Sequence, residues 1–134
     1  MDKKFKRDLN SLDGIFKFIN EFSAKTGVDE SVVFTINLVV EELFTNMVKY
    51  TYENNNEILL ELKKEGHNLI IHLTDFDVEP FDITKTVEVD TKQSLEDRRV
   101  GGLGIHLVKQ MMDKIEYEYE DRQSKIILIK HLKK

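Results

Sequence analysis

With 134 residues, 40% of them hydrophobic and 34% charged, the chain has room for one domain with a real core and too little for two. A net charge of −5 speaks against the basic field of a nucleic-acid binder, and the absence of cysteine excludes a disulfide scaffold and thiolate chemistry. No apolar segment follows the basic start MDKKFKRDLN, and no window approaches the roughly 18 apolar residues of a membrane span, so a single soluble, cytoplasmic domain over residues 1–134 is expected.

Residues 3–9 read as a short edge strand. From Leu12 the apolar positions Leu12, Ile15, Phe16, Ile19 and Phe22 recur at helical spacing, and Gly27 stops the run. Asp29 is placed to cap a longer helix with the stripe Val32, Ile36, Val39, Val40, Leu43 and Met47, widened by Phe44 and Val48. Glu53–Asn56, reading ENNN, breaks it. EILLELKK and NLIIHLTDF then predict two strands around the turn EGHN. The stretch 82–100 is polar and aperiodic, long for a connection in a compact domain, and such loops often carry function. GGLG opens a last helix through Ile105, Val108, Met111 and Met112. KIEYEYE and SKIILIKHL close the chain as two strands around DRQS. This order predicts an α+β fold: a two-layer α/β sandwich with a mixed, mostly antiparallel sheet.

Three places carry candidate chemistry. Three of the six glycines fall in four positions, Gly101, Gly102 and Gly104 around Leu103. Backbone amides at such a helix start can approach a phosphate closely, with Arg98 and Arg99 upstream to meet its charge; an ordinary loop-to-helix junction would use the same small residues. Neither the dinucleotide fingerprint nor the Walker sequence fits. Glu42 and Asn46 lie four apart, stacked on one helix face at the edge of the apolar stripe. They suit either oxygen ligation of a hard cation and activation of a hydroxyl, or the solvated rim of an amphipathic helix. LTDFDVEPFD (residues 73–82) holds four acids, but Pro80 and Thr86 stand where a calcium loop needs Gly and Glu. Asp75, at a strand end, suits a hydrogen bond from a ligand amino group. The four histidines are scattered, in turn or strand-surface positions, and no serine sits in a nucleophile-elbow context.

The order of these features, E-x-x-x-N on a helix, a strand ending in Asp, then a loop running into Gly-Gly-x-Gly, resembles the Bergerat-fold ATPases, which include gyrase and histidine-kinase ATP-binding domains. VVEELFTNMVKYTY and RRVGGLGIHLVKQMMD look like the anti-sigma-factor serine kinases of that superfamily, over roughly residues 5–131. The resemblance implies a histidine-kinase-like ATP-binding domain using ATP and Mg²⁺. Glu42 would be the general base for a substrate serine and Asn46 a Mg²⁺ ligand. Asp75 would accept the adenine amino group, with Phe81 lining the pocket and Lys49 and Tyr52 at its rim. Gly101, Gly102, Leu103 and Gly104 would wrap the phosphates, residues 83–100 would form a lid, and Arg98, then Arg99, would touch the terminal phosphate. The implied partners are an anti-sigma-factor antagonist of STAS type, a sigma factor, and a second copy of the chain through the N-terminal strand and first helix. The alternative is a nucleotide-responsive binding module with weak or no phosphotransfer. One departure stands out: the family's Asp-x-Gly reads Asp75-Phe76-Asp77 here, adding bulk and negative charge beside the nucleotide.

Overall fold

The computed structural model describes residues 1–50, 56–76 and 103–132, with residues 50 and 103–106 as backbone only. In chain order these form strand β1 (Asp2–Phe5), a 3-10 turn (Leu9–Ser11), helices α1 (Leu12–Thr26) and α2 (Glu30–Tyr50), strands β2 (Ile58–Glu65) and β3 (Asn68–Phe76), helix α3 (Leu103–Met111), and strands β4 (Lys114–Glu120) and β5 (Gln123–His131). The loop 82–100, the motif glycines 101 and 102, and Tyr52, Asp77, Phe81, Arg98 and Arg99 lie outside the described residues.

Alternation along the strands divides the sheet into two faces. Leu60, Leu62, Leu69, Ile71, Leu73, Ile126 and Leu128 are buried beneath the helices, while Glu61, Ile70, His72, Ile127 and Ile129 between them are only half-buried. The strand order is β1-β2-β3-β5-β4. The largely antiparallel sheet expected from the sequence is antiparallel at all four described pairings. β3 is central, and its register with β5 sets Ile71 opposite Leu128 and Asp75 opposite Ser124.

The long helix α2 spends its apolar stripe on this sheet: Ile36, Val40, Leu43 and Phe44 are fully buried, with Val39 and Met47 nearly so. Over Glu30–Lys49 its mean hydropathy is 1.4, and contrary to the expectation from the sequence this segment is long and apolar enough, by length and composition, to cross a membrane. In the fold that apolar surface is core. The Asp29 carbonyl accepts from Val32 and Val33 at the helix start, while its carboxylate takes the Ser31 hydroxyl at 2.9 Å. In α1 the buried face is Ile15, Phe18, Ile19 and Phe22, ending at Gly27 in the left-handed region (φ 72°). Phe18, absent from the expected stripe, lies three residues from Ile15 and therefore on its face. It meets Phe5 of β1 edge-to-face at 5.9 Å, whereas Phe16 falls at the boundary.

The β4–β5 hairpin turns on Asp121 and Arg122, both left-handed at φ 52° and 61°. Aspartate tolerates that region and arginine does so poorly. Replacing Arg122 by Gly is expected to stabilise the domain by about 0.5–1 kcal/mol, measured by urea unfolding.

Candidate functional site

The C-terminal half of α2 ends beside the end of β3, where one guanidinium bonds both to the Met47 carbonyl and to Asp75. Being four apart, Glu42 and Asn46 share one face of that half. Asn46 is buried at 4% exposure although it is polar. Its amide nitrogen donates to Glu42 Oε1 at 3.4 Å, a long hydrogen bond that turns the two side chains toward each other. Its carbonyl oxygen is then the group left for another partner. Glu42 is half-buried, unlike its neighbour Glu41, which is exposed. The solvated-rim reading of this pair therefore does not describe Asn46, which belongs to the interior.

Asp75 is the second polar group inside. It lies next to the last residue of β3, on the helix-facing side, and is 3% exposed. A buried carboxylate needs a counter-charge, and it comes from a residue to which the sequence reading gave no role. Arg7, in the connection between β1 and the 3-10 turn, closes a two-point fork on it. Arg7 Nη1 donates to Asp75 Oδ2 at 3.1 Å, and Arg7 Nη2 pairs with Oδ1. The same Nη1 donates to the Met47 carbonyl at 3.2 Å, in the last turn of α2. The side chains are 3% and 4% exposed. Burial lowers the Arg7 pKa from its ordinary value, and the carboxylate opposes that effect. The basic N-terminal stretch thus splits: Lys3, Lys4 and Lys6 are exposed, and Arg7 turns in.

The remaining described candidates fall around this centre. Lys49 is exposed in the last turn of α2. Leu103 and Gly104 open α3, which packs beside α2; Val108 and, just past the helix end, Met112 lie in the common core. Ser124 faces Asp75 across β5 and is itself buried; nothing in the sequence around it signalled that position. Among the described residues no group of three or more His, Cys, Asp or Glu side chains forms a metal cluster. A Mg²⁺ held partly by substrate phosphates needs only one or two protein oxygens, and the Asn46 carbonyl fits that demand. A cavity of about 700 Å³ lies at the other end of the sheet, lined by Gly27, Asp29, Lys64, His67, Lys130 and His131 among others. It contains none of the motif residues and sits roughly 20 Å or more from Asp75, at about 3.3 Å per strand residue.

An antiparallel sheet carrying a buried aspartate at the end of its central strand, under a helix with E-x-x-x-N, is the frame of a histidine-kinase-like ATPase domain. The family profile described as histidine kinase-like ATPase domain matches residues 5–130, and the chain belongs to that family. Its relatives include the serine-protein kinase RsbW of Listeria monocytogenes, 25% identical over 123 residues, 85% of this chain and 75% of that protein. RsbW of Staphylococcus epidermidis is 28% identical over 130 residues, covering 92% and 77%. The serine/threonine-protein kinase BtrW of Bordetella bronchiseptica is 25% identical over 100 residues, covering 73% and 70%. Among solved structures, the SiaB-SiaC complex from Pseudomonas aeruginosa contains a chain of the same fold. It superposes with a TM-score of 0.69 over 96% of this chain and 88% of that one, at 10% identity.

Proposed function

We propose that this protein is an ATP- and Mg²⁺-dependent protein-serine kinase of the anti-sigma-factor type, acting in the cytoplasm on a STAS-type antagonist and also binding a sigma factor. The observation that carries this reading is the half-buried Glu42 held against the buried Asn46, one helical turn apart on the helix whose last turn is tied to the end of β3 through Arg7. A carboxylate so placed can take the proton of a serine hydroxyl while the serine oxygen bonds to the γ-phosphorus. The bond from that phosphorus to the bridging oxygen breaks, and ADP leaves. The Asn46 oxygen would hold Mg²⁺, which supplies charge neutralisation at the phosphates when bound. Backbone amides of Gly101, Gly102, Leu103 and Gly104 would receive the phosphates, with Arg98 and Arg99 against the terminal one. Asp75 would read the base, with Phe81, Tyr52 and Lys49 around it. A homodimer would form through β1 and α1, since β1 is an edge strand whose second side pairs with no strand among the described residues.

Transfer of radiolabel from γ-labelled ATP to the serine of a cognate STAS-type protein tests this reading. Label on the antagonist, dependent on Mg²⁺, is the expected result. Binding of both nucleotide and antagonist with no transfer would replace the kinase by a nucleotide-responsive binding module. Asp77 is the feature that favours that second reading. Asp77→Gly restores the family pattern and is expected to tighten Mg-ATP about tenfold, the scale of one unfavourable charge contact removed; calorimetric titration of both proteins measures it.

A further inference from the structure

Arg7 lies in a three-residue connection, outside the three motifs that carry the resemblance. Yet its guanidinium fills the gap between the last turn of α2 and the end of β3. Nη1 donates both to the Met47 carbonyl and to Asp75 Oδ2, and Nη2 pairs with Asp75 Oδ1. With the carboxylate side chain at 4% exposure, no open face of it is left for an incoming group. Arg7 takes one lone pair on each Asp75 oxygen, and at this exposure the others are out of reach of an exocyclic amine while the fork stands, because both donors must approach the same buried oxygens. We propose that Arg7 sets the affinity of the base site: in the empty domain it stands in for the base's amine at Asp75, and a base gains that carboxylate only by displacing the fork. This rests on the ATP-binding reading above.

The displacement leaves the strand pairing and the backbone of the connection in place. The 3-10 turn after the connection contributes no buried residue, and Lys6 and Asp8 on either side of Arg7 are exposed. The connection is anchored locally, by Asp8 N–H to the Lys6 carbonyl at 2.8 Å and the Ser11 hydroxyl to the same oxygen at 2.9 Å. A rotation of the Arg7 side chain alone therefore frees Asp75 while β1 stays paired with β2. The cation leaves the negative end of the α2 dipole and the carboxylate together, so the competition is a strong one.

Mg-ATP titrations of the full chain, its Arg7→Met variant and its Arg7→Lys variant test this. Arg7→Met is expected to bind ATP at least about tenfold more tightly than the natural chain, the scale of one charge-assisted hydrogen bond released. Arg7→Lys, with a single-point donor, should fall between them. The gain should vanish for purine riboside triphosphate, which lacks the exocyclic amine. Equal or weaker ATP binding by a folded Arg7→Met protein overturns the proposal, and so does an equal gain for both nucleotides. If Arg7→Met does not fold, the natural chain decides the matter by NMR of its guanidinium protons. Faster exchange of the Arg7 Nε proton at saturating Mg-ATP supports displacement, and unchanged exchange overturns it. Absence of ATP binding by all three proteins is a different result, which removes the ATP reading itself and this proposal with it.

Discussion

Glu42→Gln is expected to cut phosphotransfer by about 10²–10⁴-fold while leaving the dissociation constant for Mg-ATP within a few fold. Glutamine keeps the size of the side chain and an oxygen to accept the Asn46 amide, which now sits 3.4 Å from the carboxylate. What it loses is the ability to take a proton. A drop in the rate with nucleotide affinity intact therefore isolates proton acceptance from positioning. Radiolabel transfer paired with calorimetry on the same preparation reads both quantities. Loss of ATP affinity together with the rate would instead make Glu42 part of the binding surface.

Asp75→Ala should produce the largest stability loss available at the site. It leaves the Arg7 guanidinium buried at 3% side-chain exposure with its carboxylate gone. Breaking a buried pair from one side costs about 3–5 kcal/mol, because the surviving charge keeps its desolvation cost. For a domain of this size that corresponds to a fall in Tm of about 10–20 °C. Replacing both partners, as Arg7→Met with Asp75→Leu, should recover most of the loss, since two apolar groups leave no unpaired charge. Thermal and urea unfolding of the two single variants and the double variant form the cycle that measures this coupling. Additive losses in the double variant would show that the fork contributes no coupling energy.

The polar centre of the domain was only partly legible in its sequence. The helix and hairpin boundaries followed from periodicity: a stripe at i, i+3, i+4 placed α2, and alternation around Gly66 placed β2 and β3. Glu42 and Asn46 could be paired in advance because four residues of helix fix their distance whatever surrounds them. Asp75 stood out as an acid ending an apolar strand. Arg7 could not be found this way. Its partner is 68 positions away, and the contact exists only because β1, through its pairing with β2, brings the N-terminal connection to the same end of the sheet as Asp75. A lone arginine among lysines reads as solvated by composition, and only tertiary packing reveals one buried fork among exposed ammonium groups. Phe18 was missed for a related reason, since the choice between it and Phe16 depends on how α1 is rotated against Phe5.

These points converge on one requirement, that a nucleotide occupies the space between α2 and the end of β3. Calorimetric titration of the full chain with ATP, in Mg²⁺ and again in EDTA, tests it most directly. Saturable binding of one ATP per chain that weakens sharply without Mg²⁺ and is lost in Asn46→Ala is the expected result. No binding at millimolar Mg-ATP, or binding indifferent to Asn46, would contradict it.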